Sequence, residues 1–167
     1  MILFVTYNRL PYGDAGSIRN STLAKLFNSI GYEVNLIGMS NDKYGDEIII
    51  DDNKYVSLRI SGDGILNKLN NYFGYKSRLI DYLSCIETEI DAIIINGLPL
   101  NTFFFIKGLC KGKSIPIVFD CCEWYSPSQF KLGRLDPRYI LNTINNRIQI
   151  KNMTIEPIIV NKRVIVT

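Results

Sequence analysis

At 167 residues, 47% hydrophobic and 21% charged, the chain has the make-up of one globular domain with its own core, which excludes disordered, collagen-like and low-complexity classes. A net charge of +3 is too small to argue for nucleic acid, and the absence of histidine removes the commonest general base and metal ligand. The first apolar run has no basic leader, and no stretch approaches the roughly 18 apolar residues of a membrane span, so a cytoplasmic protein is expected, at most peripheral to the inner face of the membrane.

The run Ile2-Leu3-Phe4-Val5-Thr6 predicts a strand covered on both faces, as in a parallel sheet. A glycine-bearing loop over 7–17 follows, with Ser17 the expected N-cap of a helix. In that helix Leu23, Leu26, Phe27 and Ile30 share one face, and Gly31 is the expected stop. Glu33 to Gly38 reads as the second strand. Ile48–Ile50 and Tyr55–Ile60 read as further strands around the polar turn Asp51-Asp52-Asn53.

Residues 64–89 are predicted largely helical, interrupted at Gly74. Ala92–Ile95 is the clearest central strand, followed by the turn Asn96-Gly97-Leu98-Pro99 and a helix over 100–111. Pro116–Phe119 is the next strand, and a polar, aromatic loop over 120–127 leaves it. A helix over 137–151 carries Ile140, Leu141, Ile144 and Ile148 on one face, and Lys162–Thr167 is the expected last strand. This alternation predicts an α/β fold: a doubly wound, mostly parallel, Rossmann-like sheet with helices on both faces, as a single domain over 1–167.

Ligands of open α/β sheets bind outside the carboxyl ends of the strands, so the loops 7–17, 96–99 and 120–127 hold the candidate site. In the first, Gly13, Ala15, Gly16 and Ser17 are small enough for a phosphate to approach the backbone, and Arg19 offers a guanidinium one turn on. The spacing is neither G-x-G-x-x-G nor a P-loop, and a plain turn into a helix accounts for it equally well. The second strand runs out as Ile37-Gly38-Met39-Ser40, without the acid that holds a dinucleotide's ribose, which counts against NAD.

In the third loop Asp120 and Glu123 can accept hydrogen bonds from sugar hydroxyls, and Trp124 offers a ring for a sugar face; capping of loop N–H groups and edge packing compete as their roles. Two carboxylates also suit glycoside hydrolysis, but sequence spacing does not fix their separation. From Lys131 onward stand seven basic residues (Lys131, Arg134, Arg138, Arg147, Lys151, Lys162, Arg163) against Asp136 and Glu156, a balance that suits a solvated face or an anionic membrane or acceptor. The cysteines, Cys85, Cys110, Cys121 and Cys122, form no C-x-x-C pair and are expected as reduced thiols, mostly buried.

Met1 to Thr6, the stretch Gly13-Asp14-Ala15-Gly16-Ser17-Ile18-Arg19-Asn20, Leu23 to Leu26 and Gly31 to Val34 together resemble the start of GT-B-fold glycosyltransferases, most of all the large retaining family 4. Asp120, Glu123, Trp124, Tyr125, Gln129 and Phe130 resemble a subgroup acting in bacterial surface-polysaccharide assembly. Arg163 to Thr167 is similar to the strand before the interlobe crossing.

The resemblance implies the acceptor-side, amino-terminal lobe of an enzyme that moves a sugar from a nucleotide-sugar donor to a glycan or lipid-linked acceptor. The donor-binding carboxy-terminal lobe is then missing from these 167 residues, and the chain alone is expected to be inactive. The glycine loop, at Gly16 and its neighbours, would approach the donor diphosphate. The family's frequent histidine falls at Cys122, and no metal or other cofactor is implied. Two other readings stand beside it: a non-catalytic module pairing with a separate donor-lobe chain, and a dinucleotide-dependent oxidoreductase or epimerase.

Overall fold

The computed structural model describes residues 1–39, 47–51, 53–59, 64–121 and 126–153. They fall into two compact units, the described residues of 1–118 and those of 119–153, divided inside the last described strand. The elements are β1 (Ile2–Arg9), α1 (Ala15–Ser29), β2 (Val34–Met39), β3 (Glu47–Ile50), β4 (Asn53–Ser57), α2 (Ile65–Ser84), β5 (Ala92–Asn96), α3 (Leu100–Lys113), β6 (Ile117–Phe119) and α4 (Pro137–Met153).

The six strands make one sheet in the order β3-β4-β2-β1-β5-β6. β1 pairs in parallel with β2 and β5, and β2 in parallel with β4, while β3 closes the edge as the antiparallel partner of β4. This is the expected mostly parallel, Rossmann-like α/β sheet. Ile2 and Phe4 belong to the cluster that takes in Ala24, Leu23 and Phe27 of α1. Leu3 and Val5 are buried as deeply and, by strand alternation, point to the opposite face, so both faces of β1 are covered. Each such side chain contributes on the order of 2 kcal/mol by leaving water.

The helix α1 differs from its sequence pattern. Its buried stripe is Gly16, Ser17, Asn20, Ser21 and Ala24, whereas Leu26 is 57% and Ile30 62% exposed. Small residues let α1 lie close to β1, β2 and β4. Two of its polar groups are met by Asn53 of β4, whose Nδ2 donates to the Ser21 carbonyl (3.2 Å) and whose Oδ1 accepts from Asn28 Nδ2 (2.9 Å), while the buried Asn20 amide has no hydrogen-bond partner among the described residues. Asn53, read from sequence as a turn residue, is therefore a buried strand residue. Gly31, at φ +94°, ends α1 as expected.

The helix α2 is continuous through Gly74. A Cβ there would lie 2.6 Å from Nη1 of Arg78, so the glycine makes room for a guanidinium rather than breaking the helix. Arg78 Nε donates to the Leu58 carbonyl (2.6 Å) and Nη2 to the Asn71 carbonyl (3.0 Å), tying α2 to the exit of β4. Tyr75, fully buried, donates its hydroxyl to the Thr6 carbonyl (2.6 Å) and fixes α2 at the end of β1. Burial raises the pKa of that phenol, so it remains a donor at any ordinary pH.

The second unit holds two 3-10 turns, Pro127–Gln129 and Gly133–Leu135, and α4. Asp136 precedes Pro137 and caps α4: Oδ1 accepts from the Arg138 backbone N–H (3.0 Å) and Nε (3.0 Å), and Oδ2 from Nη2 (2.8 Å). Arg138 also lies over the Phe130 ring, 5.7 Å from its centroid. The expected strand Lys162–Thr167 lies outside the described residues. Among the described residues no helix is long and apolar enough to cross a membrane.

Candidate functional site

The chain order reverses across β1. Its first crossover leads to β2 on one side, and β5 pairs on the other. Such a switch point opens a crevice at the carboxyl ends of the strands. Here the loop 10–14 leaves β1 and the turn 97–99 leaves β5, and the two strand ends are joined: Asn8 Nδ2 donates to Asn96 Oδ1 at 3.0 Å. Asn8 N–H donates to Thr6 Oγ1 (3.1 Å), which orders the strand exit.

Both loop glycines are held against this exit. A Cβ on Gly13 would fall 2.2 Å from Arg9 Cβ and 2.5 Å from the Arg9 carbonyl oxygen. The Gly13 N–H donates to that same oxygen at 2.7 Å, so the loop folds directly onto β1. A Cβ on Gly16 would fall 2.4 Å from Asn8 Nδ2. Close approach to the β1 backbone therefore gives a structural reason for glycine at 13, and close approach of the Asn8 side-chain amide one at 16. Gly97, at φ +60°, makes the matching turn after β5.

Asp14, not Ser17, is the N-cap of α1. Its Oδ1 accepts from Ser17 N–H (2.7 Å), and Ser17 Oγ accepts from Asp14 N–H (2.9 Å), a reciprocal capping box. Ser17 is fully buried, with its hydroxyl spent on the helix start. Ala15 is the first helical residue and is exposed, as is Arg19 on the outer side of α1. Tyr12 and Lys25 brace the loop from outside, both donating to Asp51 Oδ2 at 2.9 Å. Those two hydrogen bonds hold the Asp51 carboxyl below its ordinary pKa.

Asp120 follows β6 and belongs to the second unit, where it is half-buried and already has a partner. Glu123 and Trp124, with Cys122, lie outside the described residues. Gly16 is thus brought against Asn8, which is bonded to Asn96, and Gly13 against Arg9, while Ser17 is turned into the start of α1. The sugar-contacting role read for Asp120, Glu123 and Trp124 remains a reading of the sequence.

A second feature of the same sheet edge was not singled out in the sequence. Beside the loop, a cleft of about 420 Å³ opens over the ends of β1, β2 and β4 against α2. Its cations are Arg9, Arg59 and Lys68. Tyr7, Met39, Leu69 and Tyr72 supply apolar wall, and Asn71 an amide. Tyr7 packs edge-on against Tyr72 (5.9 Å) and Tyr75 (5.4 Å). Burial is the main reason the Tyr7 phenol is raised above its ordinary pKa, with Arg78 pulling the other way. The available signal was a basic residue at a strand exit: β1 runs on to Arg9 rather than ending at Thr6, and Arg59 leaves β4.

Comparison with models of known protein families and with curated proteins gives no match.

Proposed function

We propose that the chain is the acceptor-side lobe of a retaining glycosyltransferase, which presents a glycan or lipid-linked acceptor to a sugar carried on a nucleotide. The observation that carries this reading is the shared carboxyl edge. A glycine loop at the switch point and a cleft lined by aromatic and cationic side chains stand side by side there. The resemblance of the opening 34 residues to GT-B enzymes supplies the reaction class. In retaining transfer the donor side bears most of the leaving-group stabilisation, and the acceptor side contributes orientation. The donor would then bind mainly to a second lobe, and surface-polysaccharide assembly is the setting the resemblance suggests.

The oxidoreductase reading is weaker, because β2 ends on Met39 with no acid at its tip. Titration of the purified chain with glycan and lipid-linked glycan acceptors, with nucleotide-sugars and with NAD(P), tests both. Acceptor binding without sugar transfer is the expected outcome. Robust transfer by these 167 residues alone refutes the acceptor-side assignment, and NAD(P) binding in place of glycan binding hands the site to the dinucleotide-dependent reading.

A further inference from the structure

Three cationic side chains gathered in one cleft need a physical reason. Arg9, Arg59 and Lys68 come from three separate segments, and only the fold brings them to the same walls. No acidic side chain is among the described lining residues. Neither Arg9 nor Lys68 has an ion-pair partner among the described residues. Lys68 sits four residues past the Gly64 cap, near the positive end of the α2 dipole, and the first turn of α2 holds no acid to offset it. Like charges converging on a partly enclosed, half-apolar wall raise the local potential and favour an anion.

The shape of the charge favours phosphate. The Arg9 guanidinium fork and the Lys68 ammonium offer several N–H donors to several oxygens at once, which suits phosphoryl oxygens, and Arg59 adds positive charge to the same walls. Asn71 Oδ1 accepts from Arg78 Nη2 (3.3 Å), so its amide is held in one orientation beside them. The edge-packed Tyr7–Tyr72 pair provides a wall for whatever the phosphate carries.

We infer that the cleft binds the phosphoryl groups of a phosphate- or diphosphate-linked acceptor, with Arg9 and Lys68 holding the oxygens and the charge of Arg59 adding to the local potential. The word acceptor rests on the sugar-transfer reading; the anion site does not. A soluble sugar phosphate and a membrane-borne polyprenyl diphosphate share this chemistry, and the test distinguishes them.

The full chain is titrated with inorganic pyrophosphate at constant ionic strength, followed by amide NMR shifts. Saturable binding is expected, with the largest shifts at the exits of β1 and β4 and in the first turns of α2. Lys68 is exposed, so K68Q leaves the fold intact; K68Q weakens binding about tenfold by removing one charge-assisted contact, and R59Q weakens it further by lowering the local potential. Pyrophosphate that binds no better than chloride at equal ionic strength overturns the inference, as does a well-folded K68Q/R59Q double variant that binds like the parent.

Sugar diphosphate in solution and vesicles carrying polyprenyl diphosphate then name the source: tighter binding in either arm assigns the ligand to it, and the anion site stands in both cases. Pyrophosphate binding without glycan binding retires the sugar-transfer reading and keeps the site. Glycan binding without pyrophosphate binding does the reverse.

Discussion

Glycine has opposite meanings at two positions of this chain, and the difference is measurable. At Gly13 an added Cβ meets Arg9 Cβ at 2.2 Å and the Arg9 carbonyl oxygen at 2.5 Å. Backbone cannot swing aside as a long side chain does, so the loop must lift off β1 and lose the 2.7 Å bond from Gly13 N–H to Arg9. Gly13→Ala is expected to cost about 1–3 kcal/mol, the range for forcing extra volume into a packed site. Gly108 lies inside α3 with nothing within 4 Å of its would-be Cβ. Gly108→Ala is expected to stabilise by roughly 0.5–1 kcal/mol through helix propensity alone. Urea unfolding of the two variants checks both signs. The glycines of the loop were legible in the sequence as special positions, but what they approach was not, because Arg9 and Asn8 become their neighbours only when the loop folds back.

At the level of elements, the caps and helix faces were the least legible. Ser17 has N-cap chemistry, yet Asp14 three residues earlier takes the position and makes Ser17 its reciprocal partner. The apolar spacing of Leu23, Leu26, Phe27 and Ile30 was half right for α1: Leu23 and Phe27 pack on the core, Leu26 and Ile30 are exposed, and the buried stripe is made of small residues that let the helix lie close to the sheet. Gly74 resembled a breaker because the Arg78 guanidinium it admits comes from the next turn of the same helix. The cap of α4 has a pH signature. Hydrogen bonds from the Arg138 side chain, then its backbone N–H, bring the Asp136 carboxyl from its ordinary 3.8 to about 2. A depressed carboxylate pKa stabilises the folded form above the ordinary value, and that contribution disappears as pH falls through about 2. The α4 amides of the first turn are therefore expected to hold their shifts at pH 4 and lose them near pH 2, and Asp136→Asn abolishes the transition. A first-turn titration centred near pH 4 would remove the cap from this account.

Across the whole molecule, strand order explains why the sheet was readable and its working edge was not. The apolar runs Ile2–Thr6 and Ala92–Ile95 predicted the two central strands, and their burial on both faces suits the parallel pairings of β1 with β2 and β5. The cleft depends on long-range placement: Arg9, Arg59 and Lys68 are ordinary basic residues in a chain holding 19 of them, and no local pattern marks these three. The same order sets a gradient of stability. β1 is hydrogen-bonded on both sides and its first five residues are buried, whereas β3 has a single partner and alternates exposed with half-buried residues. Gln149 is the one buried side chain among the described residues of α4, so that helix has little core of its own to resist local opening. Amide hydrogen exchange is expected to be slowest in β1, β2 and β5 and fast in β3 and α4. Within β1 protection should decline from Val5 towards Arg9, where the register with β2 shifts and the loop begins. Such a profile would place the candidate site on the least protected end of the most protected strand, where the loop could adjust to the proposed ligand without opening the sheet. Equal protection from Ile2 to Arg9, or α4 amides as slow as those of β1, would show that the edge and the core open together and that the loop has no freedom of its own.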